Sequence, residues 1–345
     1  MSRFIPARVL AGTAIAVSAS VLAPSTSTAV PAPRSPHGTH HDPGSIGIRL
    51  VDVPAKLADD PRAREYIIDN LLPGTIIHRR IRVVNKSTST QHVDVYPGAA
   101  AITHGSFIGA RGGTRNDVTT WTKLGHSSLD IPEGGTADDT VTIAVPADAA
   151  PGERYAVLWA QVSDGHGADG VRLVTRTGIR LYLSVGGDNP RSAAFKVNTM
   201  TAARNPAGDA IVVAQVHNTG GRAVDLSGTL NLSKVSGNLT AGPYKVKLGT
   251  TLAPGQSEPV TVPVTDQVAN GPWNATIDLK SGLLDETAHA RITFPDTPGI
   301  AAAVAVTSPR TPTRPVLIGV VVAAFLLGTA TLLTAARLRR RRGST

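Results

Sequence analysis

The 345-residue chain contains no cysteine. No disulfide can brace it, even in an oxidising exterior, so stability has to come from sheet packing and each domain needs a core of ordinary size. Aromatic residues make up only 4% of the chain. With plentiful Val, Thr, Ala, Gly and Pro, that scarcity favours many short strands and turns over packed helices. Long uncharged apolar runs are scarce too, and the two that stand out lie near the ends. The length allows two or three domains.

The C-terminal run, Val316 to Ala336 (VLIGVVVAAFLLGTATLLTAA), holds no charged residue. As a helix it spans ~30 Å, the hydrocarbon thickness of a bilayer, and it reads as a transmembrane anchor. Arg337, Arg339, Arg340, Arg341 and Arg342 follow it at once, whereas only Arg310 and Arg314 stand just before it. That bias keeps the tail in the cytoplasm and everything before Val316 outside. The N-terminal run, Val9 to Leu22, is too short to span. With Arg3 and Arg8 ahead of it and Ser27 and Ala29 behind, it reads as a signal peptide cut after Ala29. Five cytoplasmic arginines and two in the signal account for seven of the nine formal positive charges, so the exported part is near +2. Nucleic-acid binding is therefore not indicated.

From Val30 to Gly44 the chain is Pro, Gly, Ser and His without an apolar period, a disordered lead-in. His37, His40 and His41 stand beside Asp42 there, but no second cluster completes the three or four fixed ligands of a zinc site, so a solvated tail and no metal are expected. Over 45–187 the pattern has period two. Ile179, Leu181, Leu183 and Val185 share one face of a strand with Val171 and Leu173, and Arg172, Arg176, Arg180 and Tyr182 share the other. Val141, Ile143 and Val145 alternate in the same way, and Pro73-Gly74, Gly134-Gly135 and Pro151-Gly152 mark turns. This is the pattern of an antiparallel sandwich, with one helical turn allowed within Ala63 to Leu72. After the linker Gly186 to Pro190, a second strand-rich unit covers 191–295, in which Val260, Val262 and Val264 share a face and Trp273, Ala275, Ile277 and Leu279 another.

The two units repeat weakly. Val84-Asn85-Lys86-Ser87 before Val93-Asp94-Val95 has its counterpart in Val216-His217-Asn218-Thr219 before Val224-Asp225-Leu226. Ile131 to Thr136 corresponds to Leu252 to Ser257, and Pro151 to Val157 to Asn270 to Ile277. Three turns in one order imply one topology, with an insertion between Ala99 and Asp130 in the first unit. The Pro- and Thr-rich stretch 296–315 reads as a stalk of up to about 60 Å when extended.

Catalysis needs a nucleophile with a base, paired carboxylates or a metal shell. Ser127 and Ser128 follow His126, and Asp164 lies near His166, but sequence neighbours on a strand or loop do not face one another, and no Gly-x-Ser-x-Gly elbow occurs. The glycine-rich piece Gly109 to Gly113 lacks a P-loop lysine. No enzyme and no cofactor are expected. The bacterial style of the signal leaves the Asn-x-Ser/Thr sites at Asn85, Asn231, Asn238 and Asn274 without a role. Two rows of cations are the candidate ligand-binding residues. Arg172, Arg176 and Arg180 follow one another at about 13 Å along one strand face, and His78, Arg80 and Arg82 form a similar row. Arginine forks match phosphates and carboxylates, which outside a bacterial membrane means teichoic acids and peptidoglycan stems. The plain reading is a charged face that keeps a sheet soluble. On the strand Tyr155 to Val162, the phase of Tyr155, Val157 and Trp159 is assigned to the core by comparison with Trp273, Ala275 and Ile277. Its other phase is apolar too, so something is expected to cover the outer face, either the insertion around Trp121 or the neighbouring domain.

The run through Pro73-Gly74-Thr75, Val84-Asn85, His92 to Pro97, Trp121, Ile131 to Gly135, Val141 to Pro146 and Asp148 to Tyr155 resembles the peptidoglycan-binding domain of the WxL-interacting proteins of Gram-positive bacteria, in its actinobacterial form. The resemblance covers about Ile46 to Val185. It implies a non-catalytic, wall-associated adaptor with two immunoglobulin-like domains, one membrane helix and a basic tail. The expected fold class is thus all-β: two tandem immunoglobulin-like β-sandwiches plus a C-terminal transmembrane helix. The expected function is a single-pass cell-membrane protein, exterior domains first, that binds peptidoglycan or an anionic wall polymer through domain 1 and a protein partner through domain 2. The alternative is a structural or protein-interaction subunit with no glycan binding.

Overall fold

The computed structural model describes residues 46–163, 173–186, 192–265 and 267–308. They fall within one unit of the chain, His41–Thr345. The signal peptide, the lead-in with His37, His40 and His41, the anchor 316–336, the tail arginines Arg337 to Arg342, Asp164, His166 and Arg172 lie outside the described residues. Among the described residues, no helix is long and apolar enough to cross a membrane.

The described chain is all-β. The first sandwich comprises β1 (Ile46–Leu50), β2 (Ile67–Leu71), β3 (Ile76–Asn85), β4 (Gln91–Thr103), β5 (Ser106–Gly109), β6 (Thr122–Leu124), β7 (Ser128–Ile131), β8 (Thr136–Ala144), β9 (Gly152–Ser163) and β10 (Val174–Val185). One sheet runs β1-β3-β8-β6 and the other β2-β10-β9-β4-β5, with β7 also on β4. All pairs are antiparallel except β2 with β10. The helical turn allowed within Ala63 to Leu72 lies earlier, as α1 (Pro61–Glu65), capped by Asp60 through the Arg62 N–H. It ends early because Ile67 to Leu71 pairs with β10. A second turn, α2 (Asp117–Trp121), carries a capping box on Asn116.

The second sandwich comprises β11 (Phe195–Arg204), β12 (Ala210–Asn218), β13 (Val224–Asp225), β14 (Ser227–Lys234), β15 (Thr240–Lys245), β16 (Thr251–Leu252), β17 (Ser257–Val264), β18 (Gly271–Ser281), β19 (Leu284–Phe294), β20 (Gly299–Ile300) and β21 (Val304–Ala305). Its sheets run β17-β12-β11-β20, with β21 also on β11, and β15-β14-β18-β19, and β13 pairs with β16. Alternation fills the cores as period two requires. Ile81, Val141, Ile143, Leu158 and Leu181 are buried in the first sandwich, and Val212, Val260, Val262, Trp273 and Ile277 in the second. Burying one such aliphatic side chain contributes about 1.5–3 kcal/mol, against about 0.5–1.5 net for a hydrogen bond. The two apolar layers therefore dominate the stability of this cysteine-free pair.

The recurring turns have a shared cause. Asn85 and Asn218 are both fully buried at the ends of β3 and β12. Asn85 Nδ2 donates to the carbonyls of Ser89, Ile131 and Pro132, and Asn218 Nδ2 to those of Arg222 and Leu252. Asn85 N–H reaches the Gly135 carbonyl and Asn218 N–H that of Gln256. Each asparagine satisfies carbonyls that the ladders leave over, which a buried corner requires.

Two edges are managed. On β17 the Thr261 carbonyl faces outward, accepting from Lys247 N–H. Pro259 and Pro263 share its parity, so the outward positions beside it offer no donor to another strand. The other edge revises the stalk expected to begin at Asp296. Ala203–Arg204 pairs with Gly299–Ile300, Thr199–Met200 pairs with Val304–Ala305, and His289 pairs with Thr307. The free edge of β11 supplies the partners, and Val306 packs against the second core.

Candidate functional site

Strand β9 runs in the phase opposite to the one expected. Ala156, Leu158 and Ala160 enter the core, whereas Tyr155 and Trp159 sit on the outer face of their sheet. The turn alignment already placed Gly152 over Gly271, which sets Arg154, not Tyr155, over Trp273. Arg154 stacks on Trp121 of α2, so the insertion supplies the indole that the second sandwich carries on its own strand. Trp159 lies in a notch left by glycines. A Cβ at Gly98, Gly109 or Gly178 would come within 2.6, 2.5 or 2.8 Å of its ring.

The cation rows are engaged within the molecule. Arg80 forms a fork on Asp52, and Arg82 one on Asp138, its cross-strand partner. These bonds hold the Asp52 and Asp138 carboxyls below the usual carboxylate range. His78 meets Thr142. Arg176 lies 4.2 Å over the Trp159 ring and donates to the Ala110 carbonyl. Arg180 stacks on Phe107 and donates to Asp225 and the Tyr182 hydroxyl. The two rows lie on different sheets: Arg80 and Arg82 on β3, and Arg176 and Arg180 on β10, where Arg180 faces the second sandwich. Charge does not single out either module, because 46–186 holds 15 Lys and Arg with 15 Asp and Glu, and 187–308 holds nine of each.

The outer face of β9 and β10 is covered by the second sandwich at its Tyr182 end and by β5 of the insertion, whose Phe107 joins the ring cluster and whose Gly109 seats Trp159. Tyr66, Phe107, Tyr155 and Tyr182 form a ring cluster with centroids 5.2 to 6.2 Å apart, closed by Ala223 and Ala253. Around it lies a polar clasp. Asp225 forms an ion pair with Arg62 at 2.7 Å, and its Oδ1 accepts from Arg180 at 3.1 Å, from the Tyr182 hydroxyl at 2.9 Å and from the Thr251 hydroxyl at 2.7 Å. Arg62 also donates to the Ala223 carbonyl, and Ala223 N–H donates to Glu153, which accepts the Tyr155 hydroxyl as well. Thr251 N–H reaches the Gly105 carbonyl. Gly282, with φ +61°, lets Asp60 approach where a Cβ would stand 2.6 Å from its carboxylate oxygen. Burial pushes the Glu153 carboxyl and the Tyr155 and Tyr182 phenols up. Removing one partner of such a clasp leaves a buried charge unpaired, an effect of about 3–5 kcal/mol.

Sequence reasoning missed Arg62, Glu153 and Asp225. The single available signal was the apolar outer phase of β9, which announced a cover without naming it. Beside the clasp, a cleft of about 630 Å³ opens between the sandwiches, lined by Arg62, Glu65, Arg180, Leu248 and Lys280 among others. Among the described residues, no group of three or more His, Asp or Glu is placed to hold a metal ion. His92 meets Asp130 on the surface, and that bond raises its pKa.

No protein-family model matches the chain, and no curated protein matches it. Among solved structures it is similar to the YadV chaperone, at 12% identity and a TM-score of 0.39, over 72% of this chain and 99% of that one. It is similar to a chaperone and tip adhesion subunit pre-assembly complex from the archaic chaperone-usher Csu pili of Acinetobacter baumannii, at 13% identity and a TM-score of 0.36, over 67% and 96%. It is also similar to the E. coli chaperone DraB, at 10% identity and a TM-score of 0.33, over 70% and 94%. At TM-scores of this size the likeness carries no argument about function.

Proposed function

We propose that the chain is a non-catalytic, membrane-anchored cell-envelope protein whose two immunoglobulin-like sandwiches work as one arm outside the membrane, the first engaging peptidoglycan or a wall polymer and the second a protein partner. The observation that supports it is the clasp at Asp225. A half-buried carboxylate that gathers two guanidiniums and two hydroxyls from both modules fixes their mutual orientation, which suits an adaptor presenting two surfaces at a set angle. The anchor and signal read from the sequence supply the tether in this reading, and the resemblance to the WxL-interacting proteins supplies the wall.

A specific observation favours the second reading, a protein-interaction subunit without glycan binding: Arg80, Arg82, Arg176 and Arg180 each hold an internal partner, so an anionic polymer would have to compete for them. The test is retention of the full chain on purified cell wall, repeated with Arg80→Ser and Arg82→Ser together. These two are chosen because replacing Arg180 disturbs the joint as well. Retention by wild type that falls in the variant supports anion contact through this row. Unchanged retention keeps the wall and removes the row, and no retention by wild type leaves the protein-interaction reading.

A further inference from the structure

We infer that the cleft between the sandwiches is a binding site for a short peptide with free ends, a zwitterion whose carboxylate meets Arg180 and Lys280 and whose ammonium meets Glu65. The inference goes beyond the wall reading and does not depend on it. Clefts at domain boundaries, walled by both modules and carrying a few polar groups of defined charge, are where small ligands are held.

Three features point to this ligand class. The first is a set of spare donors and a spare carboxylate. Arg180 commits Nη1 to Asp225 and Tyr182, while Nε and Nη2 carry no hydrogen bond among the described residues. Lys280 has a loose pair with Asp285 at 3.4 Å, both side chains being about 60% exposed, and such surface pairs hold little. Glu65 has no partner among the described residues. The second is that Asp225 and Arg62 neutralise one another at 2.7 Å, so the floor is rigid and the free charges lie at the walls. The third is an apolar side. Leu248 lines the cleft with 77% of its surface exposed, next to Gly249, which leaves the backbone open. A ligand with a carboxylate, an ammonium and an aliphatic body satisfies all three. A phosphate or a neutral sugar leaves Glu65 or Leu248 unmatched.

The test titrates the full chain with trialanine, N-acetyl-trialanine and trialanine amide, followed by calorimetry. Trialanine is expected to bind saturably, and blocking either end to weaken it about tenfold, the size of one charge-assisted hydrogen bond. Lys280→Ala should weaken trialanine toward the level of its amide and narrow the distinction between the two, Arg180 keeping the rest. Glu65→Gln should do the same for the acetylated form. Both residues are exposed, and circular dichroism checks that the variants keep their sheet content. No saturable binding, blocked peptides that bind as tightly as trialanine, or variants that bind trialanine as wild type does would each overturn the inference. Wall retention should be unchanged in both variants, so a failed wall pull-down leaves this site standing, and failed peptide binding leaves the wall reading standing.

Discussion

The two sandwiches share their corners and differ in their outer faces. Asn85 ties the carbonyls of Ser89 and Ile131, and Asn218 those of Arg222 and Leu252 at the matching places, with Asn85 alone also reaching Pro132. Yet Asp94, the counterpart of Asp225, stands near His92 on the surface at 3.9 Å, while Asp225 clasps the other module. Outside the core, β18 shows Asn274, Thr276 and Asp278, whereas β9 shows Tyr155, Val157 and Trp159. The difference teaches that a corner is decided by backbone groups that must be satisfied in any copy, and a face by the neighbour it meets.

That contrast can be broken in order of expected effect. Asp225→Ala is expected to lower stability by about 3–5 kcal/mol in urea unfolding, because Arg62 and Arg180 lose their anion. Asp94→Ala, at the matching place, should leave the midpoint where it is. Equal effects would remove the clasp from the account. Trp273→Ala should lose about 3–5 kcal/mol by opening a cavity in the second core, and Trp159→Ala, half-buried in its glycine notch, about 1–2 kcal/mol. The reverse order would return β9 to the phase first expected for it. Asn85→Ala should cost about 3 kcal/mol and Asn218→Ala about 2 kcal/mol, following the number of buried carbonyls each leaves without a donor.

A smaller effect follows from Glu153. Burial raises its pKa in the folded state, so the folded chain holds this proton more tightly than the unfolded one. Its stabilising contribution is therefore complete below the ordinary glutamate range and fades as pH rises through the raised value. Glu153→Gln, which keeps an acceptor for Ala223 and Tyr155, should flatten that dependence. The difference between wild-type and variant unfolding midpoints, followed from acid to neutral pH, measures it. A difference that grows in the opposite direction would assign the joint to another titrating group.

Much of the fold was legible because alternation and turns are local. Val260, Val262, Trp273, Ile277, Ile179 and Leu181 are buried as their period requires, and the repeated turns follow from Asn85 and Asn218. The phase of β9 was not, because both of its phases are apolar and period two cannot choose between them. The pairing of Arg82 with Asp138 depends on register between strands more than fifty residues apart, and Asp225 with Arg62 on how two modules meet. Neither leaves a local trace. Gly299 to Thr307 misled for a related reason: short alternating pieces between prolines resemble a stalk until a free strand edge is there to receive them.

The lacing of that last segment has a mechanical consequence. Any pull on the chain from beyond Ser308 is borne first by the His289–Thr307 bridge, then by the pairs at Met200 with Val304 and Ala203 with Ile300. These contacts can unzip one after another and take up slack, as a fuse does, before tension reaches the hydrophobic interior of the second module.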